Sequence, residues 1–149
     1  MAKKGMKTAF LLGRTILGGF FLYNGINHFK ERQSMAQYAG AKGVPLAKVA
    51  VPATGALLTV GGASLLLGIK PRWGALGILI FLAGVSPMMH DFWQVEDPNQ
   101  RMNEMINFSK NMALAGAALA LMGVEDWPLS VAPDYLEDIH PKRLLRKVA

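Results

Sequence analysis

Long apolar stretches, separated by short polar segments, dominate the pattern along this chain. Four of them approach the length of about 20 residues that a helix needs to cross a membrane: residues 8–27, 49–69, 73–89 and 108–127. None shows the wide polar face that a helix at the surface of a soluble protein needs. The pattern therefore predicts an all-α fold, an integral membrane four-helix bundle, and disfavours a soluble bundle.

Two segments outside the apolar stretches also carry a pattern. Residues 31–45 place Met35 and Tyr38 on one side of a short amphipathic helix that Gly43 would end, and we expect this helix to lie in the membrane interface between spans 1 and 2. A polar and then basic tail follows the last stretch. We therefore divide the chain into a four-span transmembrane domain, residues 1–127, and a tail, residues 128–149, that either lies along the cytoplasmic membrane surface or is disordered.

The composition agrees with a chain in lipid. Hydrophobic residues make up 52% of the 149 residues and charged residues 17%, and the 16 glycines suit helices that approach closely in a membrane. The net charge of +6 alone would permit a nucleic-acid partner. We predict no such partner, because most lysines and arginines lie at the ends of apolar stretches, as membrane anchors do. Cysteine is absent, so these residues supply no disulfide, thiolate metal site or thiol nucleophile.

The basic start of the chain resembles a signal peptide. Arg14 interrupts its apolar part and no clear small-residue cleavage site follows, so we interpret it as a retained helix. Four crossings place both termini on one side of the membrane, and the distribution of lysine and arginine favours the cytoplasm for that side.

Polar side chains gather where the predicted helices reach the other side of the membrane. They come from three predicted spans: Asn24, Asn27, His28, His90, Asp91, Trp93, Lys110 and Asn111. A histidine beside a carboxylate has its tautomer fixed and suits proton exchange, while amide and ammonium groups can donate hydrogen bonds to the oxygens of a quinone. The same side chains also suit helix capping and contacts with lipid headgroups, and the spacing leaves both interpretations open.

Two further roles for polar residues can be weighed from spacing. Two histidines and an aspartate could bind iron, but His90 and Asp91 are adjacent and would point in different directions on a helix, so we predict no metal site. Arg14 lies within the first apolar stretch, on the same helix face as His28. Its guanidinium either reaches back to cytoplasmic headgroups or faces the bundle and binds an anionic group.

The chain resembles the DoxX-like family in the segments "GGFFLYNGINHF", "AKGVP", "GGASLLLG", "KPRWGA" and "KNMALAG", over about residues 8–124. The resemblance implies a four-helix protein of the bacterial inner membrane. It also implies an association with quinone-linked sulfur oxidation or with oxidative-stress complexes. The absence of cysteine disfavours a direct thiol relay in this member. The residues that match the family's polar pattern are Arg14, Gly25, His28, Lys110 and Asn111, with His90 and Trp93 a looser match.

From the residues and the resemblance together we predict a quinone-linked redox subunit of a membrane oxidoreductase system, and whether the chain is itself an enzyme is left open. His28 would exchange protons with a quinone oxygen, Asn111 would donate a hydrogen bond, and Lys110 would stabilise negative charge on the reduced quinone. The residues expected to hold the quinone are Asn24, His90, Trp93 and Arg14. No motif for flavin, haem or an iron–sulfur cluster is visible, so electrons would come from a partner or from substrate.

The alternative is a non-catalytic accessory or assembly subunit that packs against a larger membrane complex. Small size, glycine-rich helix faces and the polar tail agree with it. The expected partners are the lipid bilayer, a larger membrane or redox complex and, in a homo-oligomer, further copies of the chain. A transport role is disfavoured, because four short spans with one intramembrane arginine offer little polar lining for a pathway.

Overall fold

The computed structural model describes residues 2–125 and 127–130, which form α-helices, one short 3-10 helix and no strand. The helices are α1 (Ala2–Lys30), α2 (Arg32–Ala41), α3 (Ala47–Leu67), α4 (Pro71–Met89) and α5 (Pro98–Met122), with the 3-10 helix at Phe92–Gln94. The predicted all-α class is confirmed for these residues. Most of the predicted tail, residues 131–149, lies outside the described part of the chain.

Three helical segments are long and apolar enough to cross a membrane: Gly5–Lys30, Ala47–Leu67 and Pro71–Gln94. They correspond to the first three predicted spans, although the second ends at Leu67 rather than at residue 69. Helix α5 does not reach the same standard, because polar residues occupy its first half, and it ends at Met122 rather than continuing to residue 127. The fourth span, and with it the four-span count, therefore stays a prediction.

Helices α1, α3, α4 and α5 pack side by side in chain order. On α1 and α3, Gly18 lies against Gly62 and Gly25 against Gly55, so these two helices are antiparallel. The short connection at residues 68–70 then returns the chain as α4, which runs back along α3. Helices α1 and α4 are consequently parallel, and their C-terminal ends lie at the same end of the protein.

Glycine allows α1 and α3 to touch at the backbone. A Cβ atom on Gly25 would lie 2.5 Å from the backbone nitrogen of Thr59, closer than any real side chain could be placed. Such close approach is the usual role of small residues between helices in lipid, where no hydrophobic effect drives the helices together. The contact fixes how deep each residue of α1 lies against α3.

The core lies between the four long helices, and large apolar side chains also cover the outside. Ile16, Val60, Trp73 and Leu119 are exposed, which suits a surface in contact with lipid rather than water. The buried hydrophobic residues of the core are Phe21, Leu58, Leu65, Ala75, Ile78, Leu82, Ala115 and Ala118.

The predicted short helix after the first span is present as α2. Gly43 follows it with a φ of 78°, in the left-handed region that glycine adopts readily, and so redirects the chain toward α3. Tyr38 is exposed and Ala39 packs inward. The position of α2 in a membrane interface stays a prediction.

Candidate functional site

Charged side chains meet at the end of the protein where α1 and α4 finish. The carboxylate of Glu104, on the second turn of α5, accepts hydrogen bonds at both oxygens: from Lys42 Nζ at 2.9 Å and from His90 Nδ1 at 2.8 Å. The ammonium group of Lys42 also lies 3.7 Å from a carboxylate oxygen of Asp91. We name these four residues the Glu104 cluster.

Helix ends place the members of the cluster. Helix α2 ends at Ala41, and Lys42 follows it in the connection between α2 and α3. His90 and Asp91 come directly after α4, where the chain leaves the helix before the 3-10 turn. Helix α5 begins at Pro98, and the side chain of Asp97 caps it by accepting a hydrogen bond from Gln100 N at 2.7 Å.

Burial and hydrogen bonding set the charges of the cluster. Glu104 is only 7% exposed. Burial alone would raise the pKa of Glu104, but hydrogen bonds from His90 and Lys42 outweigh it, so the pKa lies below its ordinary value. The hydrogen bond to Glu104 raises the pKa of Lys42, against the opposing effect of burial. Both groups are therefore charged at neutral pH.

The hydrogen bond also fixes the state of the His90 ring. An ionised carboxylate can only accept, so Nδ1 of His90 carries the hydrogen and donates it to Glu104. In the neutral ring Nε2 then has a free lone pair and can take up a proton. The carboxylate holds the ring in this orientation, as an acceptor behind a general acid–base histidine does.

Three aromatic rings lie beside the cluster. Phe92, Trp93 and Phe108 pack edge to face, with ring centroids 5.1 to 5.9 Å apart. Trp93 is 50% exposed, so part of this aromatic wall faces outward. The three rings thus form an apolar surface next to the polar Glu104 cluster.

The two predicted residues of α5 differ in orientation. Asn111 is half-buried and shares a face of α5 with Glu104 and Phe108, at spacings of four and three residues. Lys110 is exposed on a different face. Of these two residues, only Asn111 lies on the face of α5 that carries Phe108.

His28 and Asn24 lie deeper than the cluster. His28 Nδ1 is 2.7 Å from the backbone oxygen of Asn24 and so donates to it, while Asn24 Nδ2 donates to the oxygen of Phe20 at 2.8 Å. The His28 ring contacts Phe81 of α4, with centroids 6.1 Å apart. Phe81 precedes His90 by nine residues (81 to 90), which is about 13 Å of helix. The two histidines therefore lie toward the same end of the protein but at different depths along the helix axes.

Arg14 lies at the opposite end of the bundle. It is only 5% exposed, and its guanidinium donates to the backbone oxygens of Leu66, Pro128 and Leu129 at 2.9 to 3.3 Å. The ring of Trp127 lies 5.8 Å from the guanidinium carbon. In this structure Arg14 therefore holds the segment after α5 against α1 and α3.

Sequence reasoning missed Glu104 and assigned Lys42 no role at the site. Glu104 lies outside every apolar stretch, so the hydropathy pattern did not indicate a buried position. A signal existed nevertheless: positions 104, 108, 111, 115 and 118 recur at helical spacing and end in buried alanines, which marks them as one inward face of α5. Lys42 had no comparable signal, because only the fold brings it to α5.

One family model, described as DoxX, matches residues 9–91, more than half of the chain. The match runs through α1 to α4 and includes Arg14, Asn24, His28 and His90, but it stops before Glu104 and the rest of α5. No curated protein and no solved structure matches the chain.

Proposed function

We propose a function from the premise that this chain belongs to the DoxX family and is a membrane protein. It is a quinone-linked redox subunit of the bacterial inner membrane, and the quinone headgroup binds beside the Glu104 cluster, against Phe92, Trp93 and Phe108. The observation that carries the proposal is the buried Glu104 carboxylate, held between His90 and Lys42 next to an exposed aromatic surface.

Each part of this surface matches a need of the ligand. Reduction of a quinone takes two electrons and two protons at its oxygens. The aromatic wall offers contact to a flat apolar ring, and His90 Nε2 is the atom that accepts or releases a proton. Glu104 stabilises the positive charge that the His90 ring carries when it is protonated. Asn111 lies on the same face of α5 as Glu104 but seven residues, about 10 Å of helix, deeper, so it lies along the path of the quinone tail rather than at the headgroup. Electrons come from a partner or from a reducing substrate.

This placement changes the role expected for His28. A headgroup beside His90 lies nearer the His90 ring than the His28 ring, because His28 packs against Phe81, about 13 Å of helix before His90. His90 therefore takes the proton-exchanging role, and His28 lies along the α1–α4 side of the path that a quinone tail would follow into the bilayer. Lys110, which is exposed, contributes charge near the site rather than direct contact.

The test is a titration of the detergent-purified protein with short-chain ubiquinone and menaquinone analogues. Binding is monitored through the quenching of tryptophan fluorescence. We expect saturable binding that His90→Gln weakens about tenfold, the loss of one hydrogen bond to a charged or strongly polarised group. His28→Gln is the matched control and should bind as wild type does. Absence of saturable binding, or weakening by His28→Gln alone, would overturn the assignment.

The second candidate is a non-catalytic accessory subunit of a larger membrane complex. It is favoured by the outer face of α5, where Ala113, Gly116, Ala117 and Ala120 are all exposed and no atom lies within 4 Å of a Cβ built on Gly116. Small residues of this kind suit close contact with another helix. Stable co-purification with a larger enzyme, together with no quinone binding by the isolated protein, would favour this candidate.

The topology is part of the proposal. We infer that α5 also crosses the membrane, since it packs along α4 and its second half is apolar. Both termini then lie in the cytoplasm, and the Glu104 cluster lies at the periplasmic side. The Lys70 and Arg72 connection lies at the cytoplasmic side, in agreement with the preference of basic residues for that side.

A further inference from the structure

A groove lies between α3 and α4 on the outside of the protein. Its volume is about 480 Å³, and its lining is almost wholly apolar, with Leu57, Val60, Ala63, Trp73 and Gly77 among the wall residues. Val60 and Trp73 are both 69% exposed, so the groove opens sideways, away from the core. It is far from the Glu104 cluster, because it begins at the connection between α3 and α4, at the other end of both helices.

Close backbone packing creates the groove. A Cβ atom on Gly61 would lie 3.0 Å from the backbone oxygen of Gly74, so the two helices touch here. The side chain of Leu57 packs over Gly77, and the small side chain of Ala63 leaves room for the groove beside the contact. Both helices are apolar enough to cross a membrane. A groove with apolar walls does not hold water well and loses contact energy if left empty, so in a bilayer a hydrocarbon chain or a helix must fill it.

Positive charge marks one mouth of the groove. Lys70 is one of the lining residues, and the exposed Arg72 follows it at the start of α4, where the helix dipole adds partial positive charge. Within residues 2–125 and 127–130, no ion pair joins either side chain to a carboxylate. Arg72 donates a hydrogen bond to the backbone oxygen of Val124 at 3.3 Å. An apolar channel whose mouth carries Lys70, without a carboxylate partner among the described residues, complements a molecule with a hydrocarbon chain and an anionic head.

We infer that this groove binds an anionic phospholipid, with one acyl chain along the channel and the phosphate on Lys70. From Lys70 to Gly77 the channel follows about 10 Å of helix axis, enough for the first part of an acyl chain. A zwitterionic lipid would fill the channel equally well but would not neutralise Lys70. The inference does not depend on the quinone proposal, since the two sites share no residue.

The experiment uses the full-length protein, stripped of lipid in detergent and then exposed to an equimolar mixture of phosphatidylglycerol and phosphatidylcholine with the same acyl chains. Native mass spectrometry counts the bound lipids. We expect one retained phosphatidylglycerol, and we expect Lys70→Gln to reduce the preference for it about fivefold, which is the effect of one lysine at an anionic headgroup. Lys48→Gln, at the opposite end of α3, is the matched control and should keep the preference.

A second variant tests the channel itself. Ala63→Phe fills the groove from an outward-facing position, so it should remove retained lipid of both kinds while its helical circular dichroism stays that of wild type. Equal retention of the two lipids by wild type, an unchanged preference in Lys70→Gln, or unchanged retention in Ala63→Phe would each overturn the inference. So would cross-linking that shows a second copy or another protein helix in the groove, or competition by a long-tailed quinone but not by phosphatidylglycerol.

Discussion

At the scale of single residues, Glu104 decides the character of the site. Removing one partner of a buried ion pair leaves the other charge without compensation, which costs far more than losing an exposed pair. Glu104 has two such partners, Lys42 and His90, and they come from different parts of the chain. The carboxylate therefore joins the ends of α2 and α4 to the start of α5, and its hydrogen bond fixes the orientation of the His90 ring.

The charges of Glu104 and Lys42 predict a pH dependence of stability. Because the pKa of Glu104 is lowered in the folded protein, its contribution is present above the ordinary glutamate pKa of about 4.3 and is lost as the pH falls through the lowered value. Because the pKa of Lys42 is raised, its contribution is present below about 10.4 and is lost as the pH rises through the raised value. Stability from this pair is thus constant across neutral pH.

The variant Glu104→Gln should lose about 3 kcal/mol of unfolding free energy at neutral pH, since it leaves the Lys42 ammonium without its main partner. As the pH falls, the stability of the variant should also decrease less than that of wild type, because the variant has no carboxylate to protonate at position 104. The measurement is the melting temperature in detergent from about pH 3 to about pH 8, a range that includes the ordinary glutamate pKa. Glu96→Gln, an identical change at an exposed carboxylate, is the control. A Glu104→Gln profile parallel to that of wild type at every pH would contradict this account.

At the scale of helices, glycine contacts set the depth of α1 against α3. The position of His28 depends on them, because a Cβ atom on Gly55 would lie 2.8 Å from the Cβ atom of His28. The histidine packs over a glycine, and its ring can then reach Phe81 of α4. A side chain at Gly55 would push the ring away, so the depth of His28 is a property of the helix pair rather than of α1 alone.

Gly25→Ala tests this packing. The added methyl group would meet the backbone of Thr59, which cannot move without its helix, so we expect a loss of about 1 to 3 kcal/mol, typical of overpacking. Gly13→Ala is the control on the same helix, because nothing lies within 4 Å of its Cβ position, and it should leave the melting temperature in detergent unchanged or slightly higher. Equal effects of the two substitutions would show that α1 and α3 do not pack as described.

At the scale of the whole molecule, alternating helix directions bring distant residues together. The three apolar helices and α5 run up and down in turn, so the end of α2, the end of α4 and the start of α5 converge. The number of membrane crossings decides which side of the membrane this end faces. With four crossings, the connections near residues 37 and 96 lie on one side, and those near residues 69 and 125 lie on the other.

Because the chain contains no cysteine, single introduced cysteines can report this topology directly. We expect a membrane-impermeant maleimide, applied to intact cells, to label Gln37→Cys and Glu96→Cys but not Ile69→Cys or Glu125→Cys. All four should react after the membrane is permeabilised, which serves as the control. Labelling of Glu125→Cys together with Glu96→Cys would show that α5 does not cross, and the four-span topology would be wrong.

Some features of the site could be predicted from sequence and others could not. His90, Asp91 and Trp93 were placed together at a helix exit, and the structure has them beside one another near the end of α4. His28 was expected at the same rim, but it packs against Phe81, about two and a half helix turns before His90, a depth that only packing sets. Arg14 was expected either to reach back to cytoplasmic headgroups or to face the bundle and bind an anionic group; the contacts of its guanidinium with the backbone oxygens of Leu66, Pro128 and Leu129 could not be predicted, because they depend on the fold.

The sequence by itself determined that the described residues are helical and where the first three apolar segments lie, but not the fourth span or the end of α5. These are local properties, since hydropathy and helix period are read from neighbouring residues. Only the tertiary structure decided which polar groups meet: the pairing of Lys42 with Glu104, the separation of the two histidines and the groove beside Lys70. The reason is that helix depth and rotation depend on contacts between side chains far apart in sequence, and no segment contains that information alone.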